Sequence, residues 1–227
     1  MVGSLGQPIL FLVALGFGFG PIYQKAGGGN YMQFLAPGIV AMGILFTAVF
    51  TGIELIWDRQ FGFLKETLVA PVYRFQIMIG RTLGGATVAT LQGVIVLILA
   101  TLVGFRPDNL LMLPLAFIFM FLIALLFTAL GTAIASLLED MQGFQLIINF
   151  LVMPTFFLSG ALFPLQGLPS AIMDIARIDP LTYGVDGLRA TLAGAANFGI
   201  GTDFFLLTLM TAVLVAIGSW LFGRVEV

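Results

Sequence analysis

Few residues in this 227-residue chain could carry out chemistry. Only twenty side chains are charged, and six of these lie within positions 58–81. The sequence has no histidine and no cysteine. This removes the commonest general base, the commonest metal ligand and every thiolate or disulfide site. An enzyme would need a nucleophile with a base or paired carboxylates. Glu139-Asp140 lies in a predicted short turn, and we therefore expect no enzymatic activity, no catalytic residue and no metal site.

The composition places most of the chain in a bilayer. The sequence is 60% hydrophobic and 9% charged, with a mean hydropathy of +1.12, whereas a soluble domain carries about 25% charged residues. Too few polar groups are available to cover a water-exposed surface. The net charge of −2 argues against nucleic acid as a partner, because phosphate binding needs a basic face.

Six uncharged runs can each cross a membrane as a helix, because about 20 helical residues span the hydrocarbon core. They are apolar all round rather than alternating with period two, which disfavours a β-barrel. The first is interpreted as a membrane span and not as a cleaved signal peptide, since no basic segment precedes it. The sequence therefore predicts an all-α polytopic membrane protein with six transmembrane helices in one domain, 1–227. The runs are 1–24, 26–53, 82–105, 109–138, 141–173 and 204–223.

The connection between the fifth and sixth spans is long and mixed in composition. Its prolines interrupt continuous helix, while Ala171, Ile172, Ile175 and Ile178 recur at near-helical spacing. This pattern predicts short re-entrant or interfacial amphipathic helices between positions 164 and 203.

The positive charges assign an orientation. Residues 58–81 carry four basic side chains and the C-terminal tail adds Arg224, against four basic side chains on the opposite side. The denser side is cytoplasmic by the positive-inside rule. With six spans, both termini are expected in the cytoplasm.

Positions 61–70 fit a short amphipathic helix that lies parallel to the membrane. A helical wheel brings Phe61, Leu64 and Leu68 into a narrow arc, and Pro71 ends the element. One interpretation is a connector whose basic residues only hold the topology. The other is a docking surface, favoured by bulky apolar residues where a passive loop would use glycine or serine.

Several segments resemble the membrane subunit of type-2 ATP-binding-cassette exporters. DRQFGFLKETLVAP at 58–71 and GRTLGGATVATLQG at 80–93 are similar to the family's cytoplasmic segment and the helix after it. YMQFLAPGIVAMGILF at 31–46 is similar to the start of its second span. FLSGALFPLQGLP at 157–169 and IDPLTYGVDGLR at 178–189 match its late signature. The resemblance covers nearly the whole chain, and the drug-resistance and lipo-oligosaccharide exporters are the most similar subgroup.

The resemblance implies that the segment between spans 2 and 3 is a cytoplasmic coupling helix, which docks into a separate ATP-binding-cassette ATPase. ATP and Mg²⁺ would be bound by that partner, with no cofactor in this chain, which contains no GxxxxGK[ST] motif. A second permease copy, giving a homodimer, and membrane lipid are the other expected partners. The candidate docking residues are Asp58, Arg59, Phe61, Gly62, Phe63, Leu64, Lys65, Glu66, Leu68 and Pro71.

A second set of residues is a candidate for gating. Glu54, near the cytoplasmic end of span 2, is either a switch that pairs with Arg81 or Arg74, or an interfacial carboxylate that reaches water. On the outer side, ionic pairs could latch the re-entrant helices, although a solvated polar face explains the same charges. These outer candidates are Asp174, Arg177, Asp179, Asp186 and Arg189.

The function that the sequence favours is ATP-driven export of an amphipathic substrate, such as a drug, a lipid or a lipid-linked saccharide, across the cytoplasmic membrane. A secondary transporter or channel subunit without ATP coupling is the alternative, and it would need buried ionisable residues within the spans. The family usually begins with a basic amphipathic helix. Only residues 1–6 precede the first span, so we expect a start further upstream or a shortened sequence.

Overall fold

The computed structural model describes residues 2–25, 27, 29–64, 71–138 and 140–223, and for residues 2–4 the backbone alone. In this part of the chain the regular elements are helices, as the uncharged runs predict. A single 3₁₀ turn, Leu110–Met112, precedes the fifth helix. The α-helices are α1 (Val2–Lys25), α2 (Tyr31–Phe50), α3 (Gly52–Gln60), α4 (Arg74–Val103), α5 (Leu113–Leu137), α6 (Met141–Leu158), α7 (Ser170–Ile178), α8 (Pro180–Ala193) and α9 (Ile200–Phe222).

Six helical segments in the described residues are long and apolar enough to span a membrane, which confirms the predicted number of spans. They are α1, α2 continued by α3, α4, the 3₁₀ turn continued by α5, α6, and α9. The second span differs from its prediction, because it passes through a turn at Thr51 and remains helical to Gln60. Asp58 and Arg59 therefore lie on the last turns of α3 and not in the following loop.

The centre of the bundle is formed by α2 and α5, which pack against each other and against α4 and α8. α9 packs on α5 and α8, whereas α1 and α6 are peripheral. Two glycines permit α5 to approach α2 and α3 closely: a Cβ on Gly52 would collide with the backbone of Gly131, and a Cβ on Gly131 would collide with Val49. Small residues allow this contact in membrane helices because close packing replaces the hydrophobic effect.

Most hydroxyl groups on the spans are satisfied within their own helix. Thr82, Thr132, Ser136 and Thr211 each donate to the carbonyl oxygen four residues earlier, at 2.6–2.9 Å. This matters in a bilayer, where no water replaces a missing hydrogen bond. It also makes any buried polar side chain without a partner conspicuous.

Candidate functional site

The end of the bundle at residues 52–81 is held together by three charged side chains. Arg59 donates to the carbonyl oxygens of Leu138 at 2.9 Å and Ser136 at 3.4 Å, at the C-terminus of α5. A cation is favourable there because the helix dipole places partial negative charge on those carbonyls. Arg81 of α4 pairs with Asp58 of α3. The helices that flank the loop are thus tied to each other and to α5.

The loop itself presents two exposed aromatic side chains. Gly62 has a φ of +82°, a value that glycine adopts without strain, and it separates α3 from a new helical start at Phe63. Phe61 is 71% exposed and Phe63 is 57% exposed, which fits their predicted place on a docking surface. Gly62 lies between the two phenylalanines in the sequence, and Pro71 is exposed; the docking role predicted for both remains a prediction. Lys65, Glu66 and Leu68 lie outside the described residues, so their predicted docking contacts remain predictions.

Leu64 differs from its expected exposure. It is 0% exposed and belongs to the apolar core of the bundle. The helical wheel grouped it with Phe61, but the break at Gly62 separates the two residues into different elements. Leu64 therefore anchors the loop to its own chain in this conformation, and Phe61 and Leu64 do not share an exposed face. Leu68, the third member of the predicted stripe, lies outside the described residues.

Glu54 and Arg81 line the same cavity of about 200 Å³ without forming an ion pair. Arg81 is paired with Asp58 instead, and Arg74 donates to the carbonyl oxygen of Gly223 at 2.9 Å. Glu54 is exposed. The predicted pair of Glu54 with Arg81 is thus not formed in this conformation, and both interpretations of Glu54, as a switch and as an interfacial carboxylate, remain predictions.

The opposite end of the bundle is organised around α8, most of which is buried between α2, α5 and α9. Asp186 is buried there and accepts four hydrogen bonds, each 2.8–3.0 Å long. The donors are the backbone N–H groups of Asn197 and Phe198 and the side-chain amide of Asn197. One carboxylate thus fixes the chain that leads from α8 into α9.

Arg189, one helical turn later, binds α8 to the start of α2. Its guanidinium donates to the carbonyl oxygens of Gly160 at 3.0 Å and Phe34 at 3.4 Å, and lies 4.0 Å from the centroid of the Phe34 ring. Burial lowers the pKa of Arg189 to about 10, while the neighbouring Asp186 carboxylate acts in the opposite direction. The side chain therefore remains protonated at neutral pH, and the cation–π contact adds to its hydrogen bonds.

The latch role predicted for the outer candidates remains a prediction, and few of these residues form ion pairs with one another. In the described residues, the one ion pair among the outer candidates joins Asp174 to Arg177 at 3.4 Å, within α7 and in an exposed position. Asp179 caps α8 by accepting from the N–H of Leu181 at 2.9 Å. Burial raises the pKa of Asp179 to about 7, against the lowering effect of that hydrogen bond. Asp186 and Arg189 bond to peptide groups, because those are the polar partners that packed helices leave available.

Asp203 is a buried acidic residue that the sequence did not single out. It lies in the first turn of α9, is 0% exposed, and neither of its carboxyl oxygens has a hydrogen-bond partner among the described residues. Its position at the end of a mixed loop gave no sign of burial. Tyr183 was missed for the same reason: its hydroxyl donates to the carbonyl oxygen of Arg177 at 2.7 Å and joins α7 to α8.

These features define a polytopic helical membrane protein with an exposed loop at one end and a buried polar helix at the other. The chain belongs to the ABC-2 type transporter family, whose family model matches residues 1–193. It is 30% identical over 196 residues to the putative transport permease ycf38 of Cyanophora paradoxa, an alignment that covers 83% of this chain and 66% of that protein. The chain thus spans just under two thirds of this relative.

Other relatives are nodulation proteins. The chain is 31% identical over 198 residues to nodulation protein J of Rhizobium leguminosarum bv. viciae, covering 86% of this chain and 75% of the relative. It is 28% identical over 203 residues to nodulation protein J of Rhizobium meliloti (strain 1021), an alignment that covers 88% of this chain and 77% of that protein. Family membership thus agrees with the resemblance carried by the sequence motifs.

Proposed function

We propose that this chain is the membrane subunit of an ATP-driven exporter that moves an amphipathic substrate outward across the cytoplasmic membrane, with both termini in the cytoplasm. Its family, together with relatives named as a transport permease, supports the transport role. The family in general works with a separate ATPase subunit, which would bind ATP and Mg²⁺. A second copy of the chain would complete the translocation unit, with membrane lipid around it, and 1–227 would form one permease domain.

The observation that carries the proposal is the exposed aromatic pair, Phe61 and Phe63, on a loop tied to three helices. A docking surface needs an apolar patch for the partner and a stiff connection to the transmembrane helices. Arg59 and the Asp58–Arg81 pair supply that connection. Movement of a bound ATPase would therefore be transmitted to α3, α4 and α5 together.

Co-purification with a candidate ATP-binding-cassette ATPase from the same organism tests the proposal. We expect Phe61→Asp to abolish capture of the ATPase, because it places a charge in an apolar contact. The matched control is Leu111→Asp, which changes an exposed apolar side chain at the opposite end of the bundle and should leave capture unchanged. Equal capture by Phe61→Asp and the control would contradict the docking role.

Ion-coupled transport without an ATPase is the second candidate, and one observation favours it. Asp203 is the buried ionisable side chain in a span that such a mechanism requires. Transport in reconstituted vesicles distinguishes the two mechanisms. Export that requires the ATPase and ATP supports the first candidate, whereas transport that follows a proton gradient and is lost in Asp203→Asn supports the second.

A further inference from the structure

A cavity of about 450 Å³ lies between α1, α2, α3 and α4. Its volume falls in the range of small-molecule binding sites. Along α2 and α3 it extends from Met42 to Glu54, over about 18 Å at the rise of an α-helix. Phe50 and Glu54 are exposed, whereas Met42 is buried in the bundle. The cavity is therefore accessible from outside at the end that faces the loop.

This accessible end carries an acidic side chain, Glu54, that is not in an ion pair. In the described part of the chain the ion pairs are Asp58–Arg81 and Asp174–Arg177. No basic side chain lines the cavity among the described residues. Arg81 borders a smaller cavity that Glu54 also lines, but its guanidinium is bound to the Asp58 carboxylate. The charge of Glu54 is thus left for another cation to meet.

The position of Glu54 in the membrane makes such a cation relevant. Glu54 lies within the second helical segment that is long enough to span a bilayer, Tyr31–Gln60. Ionisable side chains in membrane spans are rare, and they usually pair with another group or mark the path of a substrate. Because the described residues give Glu54 no ionic partner, a ligand with a positive charge is the matching occupant.

An aromatic side chain lies beside this carboxylate. Phe46, Phe50 and Glu54 are spaced four residues apart and all line the cavity, so consecutive members are neighbours on one helical face. The junction at Thr51 keeps this spacing, since its backbone angles are helical, with φ −63° and ψ −21°. The Phe46 ring packs against Phe156. Phe50 is therefore the ring that a cation at Glu54 would meet, and an aromatic face attracts organic cations.

The remaining lining restricts the ligand to an amphiphile. Met42, Phe46 and Val88 give the inner part of the cavity an apolar surface. Among the described lining residues Glu54 is the one carboxylate, whereas a hard metal ion such as Ca²⁺ takes six to eight oxygen ligands. An organic ammonium with an apolar tail fits both parts of the cavity, with its charge at the loop end and its tail directed towards Met42.

We infer that this cavity binds a cationic amphiphile, whose ammonium group lies between Glu54 and Phe50. The inference rests on the proposed function, because it assigns this ligand as the exported substrate. A zwitterionic membrane lipid carries the same ammonium group beside a phosphate. The test must therefore separate a cationic substrate from such a lipid.

Photolabelling of the full chain tests the inference without the ATPase and without ATP. The nanodiscs consist of digalactosyldiacylglycerol, an uncharged lipid that contains no amine. Three probes carry the same diazirine-bearing alkyl chain and differ in the head group. These head groups are trimethylammonium, dimethylamine oxide, which has nearly the same size but no net charge, and phosphocholine.

The label in peptides that contain Met42 and Phe46 is divided by the label in the peptide that contains Phe205. Phe205 is an exposed residue of α9 that lies outside the cavity, so this ratio corrects for partition of each probe into the bilayer. We expect the ratio for trimethylammonium to be about tenfold that for dimethylamine oxide, as an ion pair and a cation–π contact together imply. Equal ratios for these two probes would show a crevice that ignores charge and would overturn the inference. A phosphocholine ratio as high as that for trimethylammonium would show a lipid site and would also overturn it.

The variant Glu54→Gln tests whether the carboxylate recognises the charge. It keeps the size of the side chain, and it should lower the preference for trimethylammonium about fivefold without changing the Tm, because Glu54 is exposed. Glu54→Asp should retain most of the preference. Asp174→Asn is the matched control, since it removes an exposed carboxylate from α7, and it should leave labelling unchanged. An undiminished preference in folded Glu54→Gln would contradict the assignment.

The variant Phe50→Leu tests the aromatic contribution. It should lower the labelling by trimethylammonium about threefold and leave the labelling by dimethylamine oxide unchanged, since leucine keeps an apolar surface but offers no ring face. Phe150→Leu, at an exposed position of α6, is the control for loss of a phenylalanine. An equal fall for both probes in Phe50→Leu would show loss of apolar contact alone and would contradict a cation–π role.

The two proposals fail in different ways. Charge-selective labelling that depends on Glu54, with transport that does not respond to ATP, would overturn the ATP-driven function and leave the binding site. ATP-driven transport by a protein whose labelling ignores charge would overturn the site and leave the function.

Discussion

The two ends of the bundle differ in where their polar groups find partners. At the loop end, Phe61 and Phe63 are exposed and the charged side chains that hold the loop are half-buried. At the opposite end, Asp186 and Arg189 are buried and bond to peptide groups of three other segments. The first end therefore leaves surface available to another molecule. At the second end Asp186 and Arg189 bond internally, while Asp203 has no hydrogen-bond partner among the described residues.

This difference has consequences for stability and motion. Buried charged groups with several hydrogen bonds are expensive to disturb, since removal of one partner leaves the others desolvated. Segments with exposed side chains and few internal bonds open at low free energy. The α8 end should therefore behave as a fixed part of the molecule. At the loop end the exposed side chains of Phe61 and Phe63 should adapt when a partner binds, while Arg59 and the Asp58–Arg81 pair keep the loop attached to the helices.

The largest effect is expected from Asp186→Ala. Four hydrogen bonds disappear, the donors of the exposed Asn197 and the half-buried Phe198 lose their acceptor, and the buried Arg189 loses its neighbouring negative charge. We expect a loss of about 3–5 kcal/mol in the free energy of unfolding, measured by denaturant titration in micelles. Asp174→Asn is the control, since that exposed pair should contribute less than about 0.5 kcal/mol. A similar small loss for both variants would contradict the distinction between the two ends.

Leu64→Ala tests whether the buried side chain of Leu64 anchors the otherwise exposed loop. Because Leu64 is fully buried, its truncation should cost about 2–5 kcal/mol, while Phe61→Ala should cost less than about 0.5 kcal/mol. The same unfolding titration measures both. If Leu64→Ala were as harmless as Phe61→Ala, the loop would not be anchored through Leu64.

Sequence reasoning located the spans and both ends but not the burial of individual side chains. Long uncharged runs determine membrane helices directly, because hydrophobic length is what the bilayer selects. The burial of Leu64 and Asp203 depends instead on which distant helices pack beside them, and no local pattern carries that information.

Arg59→Gln should have an intermediate effect. It removes the charge that meets the C-terminal carbonyls of α5, at Leu138 and Ser136. We expect a loss of about 1–2 kcal/mol in the free energy of unfolding. Arg59→Lys should recover part of it, because lysine keeps the charge but cannot reproduce the two-pronged contact. Full recovery by lysine would show that charge alone matters there.

The raised pKa of Asp179, at the start of α8, predicts that the stability of the folded protein depends on pH. This pKa is raised from 3.8 to about 7 in the folded state, so the folded protein binds this proton more tightly than the unfolded chain. The resulting stabilisation is complete below about pH 4 and is lost as the pH rises towards 7. Asp179→Asn keeps the helix cap and should remove this slope. About 2.7 kcal/mol of stabilisation is lost between pH 5 and pH 8. Wild-type Tm should therefore fall by about 5–10 °C more than that of the variant over this range, since 1 kcal/mol corresponds to about 2–4 °C in a chain of this size. Parallel Tm profiles would contradict the assignment.

The smallest effect on stability is expected from Phe61→Ser, and this variant separates folding from docking. Phe61 is mostly exposed, so its loss should change the free energy of unfolding by less than about 0.5 kcal/mol. At a central position of a protein interface, the same change should weaken association by about 2 kcal/mol or more. Titration of the purified ATPase onto nanodisc-bound protein measures the association. Unchanged affinity, together with unchanged stability, would mean that the exposed aromatic side chain at this end serves the surrounding lipid and not a partner.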